Sequence, residues 1–170
     1  VIKHMPGHGR AFADSHHNLP TVDASLDELR AHDFAPFKAL RDAPMAMTAH
    51  VVYTAIDPDN PATTSAKVVE EIIRGEIGFE GLLMSDDVSM NALSGDFAHR
   101  TDGIVAAGCD VVLHCNGVMD EMRAVVGRVP ALSGEALVRA ERALAGLGTQ
   151  DNTSETAVRE EFAAWFEAVA

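Results

Sequence analysis

The stretch Gly81-Leu82-Leu83-Met84-Ser85-Asp86-Asp87 decides the fold of this 170-residue chain. A short apolar run that begins at a glycine and ends in polar residues is typical of a strand buried on both faces, as in parallel sheets. The two carboxylates follow where the strand turns into a loop. The stretch therefore predicts a buried strand that presents acidic side chains at its carboxyl end.

Three further apolar segments end in polar residues in the same way, and helical patterns separate them. They are residues 1–4, 44–50 and 109–114. A capping-box pattern at Ser25 and a candidate N-cap at Ser65 each begin a helix, and Pro36 interrupts the first of these helices. Further helices are predicted over residues 92–107, over 119–128 and from 133 onward. Strands that alternate with helices predict an α/β fold built from βα units around a parallel sheet.

The polar ends of the four strands predict one shared site. The carboxyl ends of parallel strands meet at the same edge of a sheet, which carries the active site in α/β barrels and in open α/β sheets. We therefore expect four clusters that are far apart in the sequence to converge. They are Lys3-His4, Thr48-Ala49-His50, Ser85-Asp86-Asp87 and His114-Cys115-Asn116.

Charge and composition narrow the classes of partner. The chain has 13 Lys and Arg against 26 Asp and Glu, a formal net charge of −13, which disfavours binding to nucleic acid or to an anionic membrane surface. No apolar run reaches the roughly 20 residues that span a bilayer. Cys109 and Cys115 flank one predicted strand and lie too far apart to bridge each other. We expect two buried, reduced thiols and a cytoplasmic protein.

The loop after the first strand gathers titratable side chains. Lys3, His4, His8, Asp14 and His16 lie within fourteen positions, among a proline and glycines that argue against a helix. A carboxylate two positions before an imidazole suits an acid/base pair, because it can fix the tautomer of the ring. The same side chains are ligand types for Zn²⁺ or Fe²⁺, although Lys3 argues against a bound cation. We expect catalysis without a metal.

Asp86 and Asp87 alone do not separate a catalytic role from a structural one. A carboxylate at the end of a buried strand is held rigidly over the site. Aspartate also favours turns and helix N-caps, however. From this dipeptide alone, the turn role is the favoured interpretation.

Five motifs follow one another along the chain. They are Lys3-His4-Met5-Pro6-Gly7-His8-Gly9, Asp14-Ser15-His16, Ala49-His50-Val51-Val52-Tyr53, Ser85-Asp86-Asp87-Val88-Ser89-Met90 and Ala107-Gly108-Cys109-Asp110. In this order they resemble the glycoside hydrolase family 3 β-N-acetylglucosaminidases, bacterial enzymes that recycle cell-wall muropeptides. The resemblance implies a TIM-type (β/α)8 barrel, of which residues 1–148 form the C-terminal half with four βα units.

The resemblance also implies a retaining, exo-acting β-N-acetylglucosaminidase that needs no cofactor. Asp86 would be the nucleophile and would form a covalent glycosyl-enzyme. His16, oriented by Asp14, would be the general acid/base where most retaining glycosidases use a second carboxylic acid. Lys3 and His4 would hydrogen-bond sugar hydroxyls of muropeptide fragments that carry terminal N-acetylglucosamine.

Three other functional interpretations stay open at this point: a fragment without activity of its own, a glycoside phosphorylase, and a metal-dependent hydrolase. A half-barrel has two open sheet edges, which favour self-association. Residues 149–154 have the composition of a polar linker. Residues 155–170 predict a C-terminal amphipathic helix that packs on its own domain.

Overall fold

A computed structural model describes residues 1–12, 15, 18–148 and 152–167 of the chain. Within these residues the strands are β1 (Ile2–Met5), β2 (Thr21–Val22), β3 (Met45–Thr48), β4 (Val52–Tyr53), β5 (Leu82–Asp87) and β6 (Val111–Leu113). Four of them form a parallel sheet in the order β1-β3-β5-β6. The four predicted strands and the parallel sheet are therefore confirmed. The sequence does not predict β2 and β4, which pair as a separate two-stranded ladder.

Helical segments connect the strands of the main sheet. They are α1 (Leu26–Glu28), a π-helical turn (Leu29–Asp33), α2 (Ala35–Ala39), a 3-10 turn (Ala62–Thr64), a π-helix (Val68–Glu76), α3 (Phe97–Ala106), α4 (Met119–Val126), α5 (Gly134–Ala145) and α6 (Glu155–Glu167). The π-helix joins β3 to β5, and α3 joins β5 to β6, so the chain alternates as the sequence predicts.

Local capping signals place the helix starts where the sequence predicts them. The Ser25 hydroxyl accepts a hydrogen bond from the Glu28 backbone N–H (3.3 Å), and the Glu28 carboxylate accepts one from the Ser25 backbone N–H (3.0 Å). Ser65 Oγ accepts from the Val68 N–H (3.2 Å) before the π-helix. Pro36 lies in the first turn of α2, where its missing N–H costs nothing, and separates α2 from the preceding helical turn.

The predicted start of α3 at residue 92 is wrong by five residues. The helix begins at Phe97, because the Asp96 side chain accepts a hydrogen bond from the His99 backbone N–H (2.8 Å) and caps it there. Gly95, with a φ of 81°, turns the chain immediately before this cap.

The π-helix contributes a buried apolar face to the core. Val68, Val69, Ile72 and Ile73 recur at helical spacing along the π-helix and are all buried. They belong to one apolar cluster with residues of β3 and β5. Burying an aliphatic side chain of this size contributes roughly 1.5–3 kcal/mol, so these residues stabilise the packing of the π-helix.

Contacts to other elements fix the loop that follows β1. The Tyr53 hydroxyl donates to the carbonyl oxygen of Gly7, and Arg10 pairs with Asp33 (Nε–Oδ2 2.8 Å). Gly7 has a φ of 145°, and a Cβ there would lie 2.9 Å from Asp33 Cβ. Only glycine lets the backbone at position 7 pass this close to Asp33 without displacing the helical turn. These contacts anchor the loop on both sides of His8.

A buried ion cluster occupies the amino-terminal end of β5 and β6. Asp110 accepts hydrogen bonds from Arg74 (2.9 Å), from Arg139 (3.0 Å) and from the backbone N–H of Leu83 (2.8 Å). Arg74 also donates to the carbonyl oxygens of Phe79 and Gly81. The cluster ties the π-helix and α5 to the sheet at the end opposite to the polar strand termini.

The expected packing of the C-terminal helix is wrong for the side chains that the structure describes. In α6, Phe162, Trp165 and Phe166 are each more than half exposed. Phe162 and Phe166 contact each other edge to face instead, with ring centroids 4.9 Å apart. The division of the chain at residues 149–154 stays a prediction.

The two thiols differ in exposure. Neither Cys109 nor Cys115 forms a disulfide, and Cys109 is buried as expected. Cys115 is exposed, because β6 already ends at Leu113 and Cys115 falls in the loop beyond it. The prediction of two buried thiols is therefore wrong for Cys115.

The main sheet has two open edges. β1 and β6 are its outer strands, each paired on one side only within the described residues. Self-association through these edges stays a prediction. In the same part of the chain, no helix has both the length and the apolar character needed to cross a bilayer.

Candidate active site

A cavity of about 510 Å³ opens at the carboxyl end of the main sheet. It is lined by Lys3, His4, His8, Gly9, Ser15, Asp86 and Met90. β3 lies between β1 and β5 in the sheet, so the ends of β1 and β5 flank one depression. The structure thus brings Lys3, His4 and Asp86 together although about eighty positions separate them in the sequence.

A hydrogen bond holds the backbone of Asp86, while one of its carboxylate oxygens accepts no hydrogen bond from the described residues. Its N–H donates to Thr48 Oγ1 (3.3 Å), and its Oδ1 accepts from the backbone N–H of Asp87 (2.8 Å). Its Oδ2 lies 3.7 Å from His4 Nε2, beyond hydrogen-bond distance. Among the described residues, no lysine or arginine forms an ion pair with Asp86. The Oδ2 oxygen is therefore available to a ligand in the cavity.

His4 stands beside this carboxylate as a partly buried ring. It contacts the His8 ring, with centroids 5.5 Å apart. Burial lowers the pKa of His4, and the charges of Lys3 and His8 act in the same direction, while Asp86 opposes them. The neutral imidazole is therefore favoured near neutral pH. A neutral His4 can hydrogen-bond a ligand without cancelling the charge of Asp86.

Asp87 has the turn role that the dipeptide alone favours. Its carboxylate accepts from the Ser89 backbone N–H (3.0 Å), the Ser89 hydroxyl (2.6 Å) and the Cys115 N–H (3.2 Å). Burial acts to raise the pKa of Asp87, but these hydrogen bonds outweigh burial and hold it below its ordinary value. Asp87 therefore stabilises the turn after β5 and joins it to the end of β6.

Asp14 and His16, the predicted proton-transfer pair, lie outside the residues that the structure describes. Ser15, which separates them in the sequence, is buried and lines the cavity. The roles assigned to Asp14 and His16 therefore stay predictions. The same holds for the roles of Asp86, Lys3 and His4, whose positions the structure gives.

Two histidines at strand ends are placed differently from the four-cluster prediction. The His50 ring is fully buried and contacts Thr63 and the Asp87 backbone beneath the cavity. The His114 ring lies against Glu121 of α4 (Nε2–Oε2 2.7 Å). The four strand ends do converge, because Thr48 and His50 contact the Asp86-Asp87 backbone and the Cys115 N–H donates to Asp87. His50 and His114, however, do not line the cavity. Thr63, in a 3-10 turn, carries no motif that points to the site.

The described residues hold no group of three or more His, Cys, Asp or Glu side chains placed to bind a metal ion. His4 and His8 are neighbours, but the other two residues of the metal interpretation, Asp14 and His16, are outside the described part.

Known proteins match the chain along most of its length. The sequence profile described as "Glycosyl hydrolase family 3 N terminal domain" matches residues 1–143. A curated relative, the "Beta-hexosaminidase" of Idiomarina loihiensis, is 39% identical over 145 residues, which cover 84% of this chain and 44% of that protein. The chain spans less than half the length of the curated relatives it matches.

Solved structures agree with these sequence matches. A glycoside hydrolase family 3 β-N-acetylglucosaminidase from Paenibacillus sp. str. FPU-7 superposes with a TM-score of 0.76 at 32% identity, covering 90% of this chain and 32% of that one. NagZ from Neisseria gonorrhoeae, in complex with N-trifluoroacetyl-D-glucosamine, superposes with a TM-score of 0.71 at 35% identity, covering 93% and 44%. These matches confirm the predicted resemblance and the TIM-type fold, of which this chain contributes four βα units.

Proposed function

The chain belongs to glycosyl hydrolase family 3, and we propose that it forms the half of a barrel that carries the nucleophile for hydrolysis of terminal β-linked N-acetylglucosamine. The names of its relatives support this substrate: a β-hexosaminidase, a β-N-acetylglucosaminidase and an enzyme in complex with an N-acylated glucosamine. Because the chain spans less than half of its curated relatives, we assign the activity to the complete barrel.

The position of Asp86 is the observation that carries the proposal. Its carboxylate stands at the carboxyl end of a central strand, the position of catalytic residues in TIM-type barrels. One oxygen is oriented by the Asp87 N–H, and the other faces the cavity without a lysine or arginine partner among the described residues. A nucleophile needs an oxygen that can reach the substrate, and an oxygen engaged in an ion pair is less available for attack.

The proposed reaction has two displacements. Asp86 Oδ2 attacks the anomeric carbon, and the bond to the aglycone breaks as His16 protonates the leaving oxygen. A covalent glycosyl-enzyme remains. His16 then takes a proton from water, which attacks the same carbon and releases Asp86 as a carboxylate. Two inversions give N-acetylglucosamine with retained β configuration.

The neighbouring side chains are proposed to bind the sugar. Lys3 and the neutral His4 line the cavity beside Asp86 and can donate to sugar hydroxyls. We propose muropeptide fragments as the natural substrates, in line with the family that the motifs resemble. The free thiols of Cys109 and Cys115 fit a reducing compartment, which supports a cytoplasmic enzyme.

The experiment compares the 170-residue chain with a fused barrel. In the fused barrel, this chain replaces the segment that it matches in the Idiomarina loihiensis relative. Both proteins are assayed on 4-nitrophenyl N-acetyl-β-D-glucosaminide, and proton NMR follows the anomer that forms first. Asp86→Asn is the test variant, and Asp96→Asn, which alters only the cap of α3, is its matched control.

We expect the fused barrel to release the β anomer, and Asp86→Asn to lower kcat at least about a thousand-fold while Asp96→Asn leaves it unchanged. A fluorosugar that slows the second displacement should label the peptide that contains Asp86. Turnover that depends on phosphate would indicate a phosphorylase instead. Unchanged turnover in Asp86→Asn would reject the assignment of the nucleophile.

A further inference from the structure

A continuous chain of hydrogen bonds lies beneath the cavity, in side chains that the proposed reaction does not use. Thr48, His50 and Thr63 are fully buried. The Asp86 N–H donates to Thr48 Oγ1 (3.3 Å), and Thr48 Oγ1 lies 2.8 Å from Thr63 Oγ1. Thr63 Oγ1 lies 2.8 Å from His50 Nδ1, and His50 Nε2 lies 2.9 Å from the Asp87 carbonyl oxygen. The chain begins and ends on the backbone of the Asp86-Asp87 pair.

The chemistry of these groups fixes the direction of the hydrogen bonds. A carbonyl oxygen only accepts, so His50 Nε2 carries a proton and donates to Asp87. Burial lowers the pKa of His50 and favours the neutral ring, whose Nδ1 must then accept. The Thr63 hydroxyl donates to Nδ1, and Thr48 donates to Thr63. Each group in the chain then has its partner, as a buried polar network requires.

A competing acceptor makes this direction testable. The carbonyl oxygen of Ala49 lies 3.0 Å from Thr63 Oγ1. A charged His50 would donate from Nδ1 to Thr63, whose hydroxyl would then donate to Ala49. The two arrangements differ in the charge of His50 and in whether the Thr63 hydroxyl donates to His50 or to Ala49. The protonation of the two ring nitrogens therefore reports which of them is present.

We propose that His50 and Thr63 are positioning residues for the attack by Asp86. His50 hydrogen-bonds the carbonyl oxygen of Asp87 directly, and Thr63 hydrogen-bonds Thr48, which accepts from the N–H of Asp86. The backbone that carries the nucleophile is therefore fixed at both ends. With the backbone fixed, the Asp87 N–H is sufficient to orient Oδ1 and leave Oδ2 toward the cavity. The expected effect of His50 and Thr63 on the reaction rate rests on the proposed function, whereas their hydrogen bonds are independent of it.

Kinetics of the fused barrel test the consequence for rate. Thr63→Val removes the central hydroxyl with little change of volume, Thr63→Ser retains it, and Thr101→Val is the matched control. Thr101 is also fully buried, and its hydroxyl donates to the Phe97 carbonyl, outside this chain. We expect Thr63→Val to lower kcat about ten- to a hundred-fold with little change in KM. Thr63→Ser should recover most of the loss, and Thr101→Val should behave like the unsubstituted protein.

Nitrogen NMR of histidine in the 170-residue chain tests the hydrogen bonds without any activity. We expect a neutral His50 with the proton on Nε2, and an Nδ1 signal that moves in Thr63→Val but not in Thr101→Val. A proton on Nδ1, or a charged ring at neutral pH, would overturn the proposed direction.

The two measurements separate the proposals. If the fused barrel hydrolyses the substrate and Thr63→Val has the same kcat as Thr101→Val, the positioning role is rejected and the proposed function stands. If the fused barrel is inactive while the NMR result is as expected, the proposed function fails and the hydrogen-bond chain stands.

Discussion

Asp86 and Asp110 lie at opposite ends of the same sheet, are buried to a similar extent and have opposite surroundings. Their side chains are 11% and 4% exposed, respectively. Asp110 accepts hydrogen bonds from two arginines and a backbone N–H, at 2.8–3.0 Å. Among the described residues, Asp86 accepts one hydrogen bond, from the neighbouring backbone, and its carboxylate lies 3.7 Å from the imidazole of His4.

The difference shows how one residue type can stabilise one end of a sheet, while a role in the reaction is proposed for it at the other end. The arginines neutralise Asp110 and occupy both its oxygens, so it ties elements together and has no capacity to react. At the edge of a cavity, Asp86 keeps one oxygen that has no lysine or arginine partner among the described residues. Its position is instead fixed through the backbone, by groups that do not touch the carboxylate. The predictions below test this contrast.

The largest effect on stability is expected for Asp110→Asn. The substitution leaves the charges of Arg74 and Arg139 buried without their partner, and the free energy of unfolding should fall by about 3–5 kcal/mol. Urea denaturation of the 170-residue chain measures the change. Asp102→Asn breaks an exposed pair with Arg128 and serves as the control, with no measurable change expected. Equal changes in the two variants would show that the Asp110 cluster is not a stabilising contact.

A smaller effect, on binding, is expected for His4→Phe in the fused barrel. The substitution keeps a ring against His8 and removes the hydrogen bond that we propose His4 makes to the sugar. Loss of one hydrogen bond of about 0.5–1.5 kcal/mol corresponds to a KM about three- to tenfold higher. His99→Phe, at an exposed position of α3, is the control. A KM that does not move in His4→Phe would remove His4 from the sugar-binding side chains.

A pH effect on stability is expected from the buried His50. Burial lowers its pKa in the folded chain below the ordinary value of 6.5, so the unfolded chain binds more protons at mildly acidic pH. The stability that a neutral His50 provides is therefore present above about pH 6.5 and declines as the pH falls below it.

Denaturation of His50→Gln beside the unsubstituted chain, at about pH 7.5 and about pH 5.5, isolates this contribution. The difference in unfolding free energy between the two proteins should shrink at the lower pH, because only one of them has His50 to protonate. His4, whose pKa is also lowered by burial, is present in both and cancels. A constant difference would mean that folding does not shift the pKa of His50, and a difference that grows at the lower pH would mean that folding raises this pKa.

The smallest effect on stability is expected for Asp86→Asn. This residue has no ion pair with a lysine or arginine among the described residues, and the amide oxygen of asparagine can still accept from the Asp87 N–H. The unfolding free energy should change by no more than about 0.5 kcal/mol. Since we expect the same variant to lose turnover in the fused barrel, the two readouts together separate chemistry from folding. A loss of unfolding free energy comparable with that of Asp110→Asn would contradict the contrast between the two aspartates.

Much of the fold was predictable from local sequence, because local rules govern it. Apolar runs gave the four main strands, and the caps at Ser25 and Ser65 gave two helix starts. The start of α3 was misplaced, since a single cap at Asp96 outweighed the apolar residues before it. The burial of Cys115 and the packing of α6 were also predicted wrongly, because burial depends on distant surfaces that periodicity does not contain.

The candidate site was predictable only in part. The polar strand ends indicated Lys3, His4 and Asp86, but Asp86 alone favoured a turn role, and only the resemblance made it a candidate nucleophile. No pattern singled out Thr63, whose contacts with Thr48 and His50 arise from a turn between β4 and the π-helix. The roles of Asp14 and His16 stay predictions from the motifs.

The sequence by itself determined the elements of this protein and the chemistry available at their ends. Strand and helix periods, caps and turn residues act over a few positions, so they can be read without knowing the fold. Only the tertiary structure decided which ends meet. In the order β1-β3-β5-β6, His4 lies beside Asp86, His50 lies beneath the cavity, and Asp110 pairs with two arginines. Long-range packing sets that order, and one residue type therefore acquires two different surroundings.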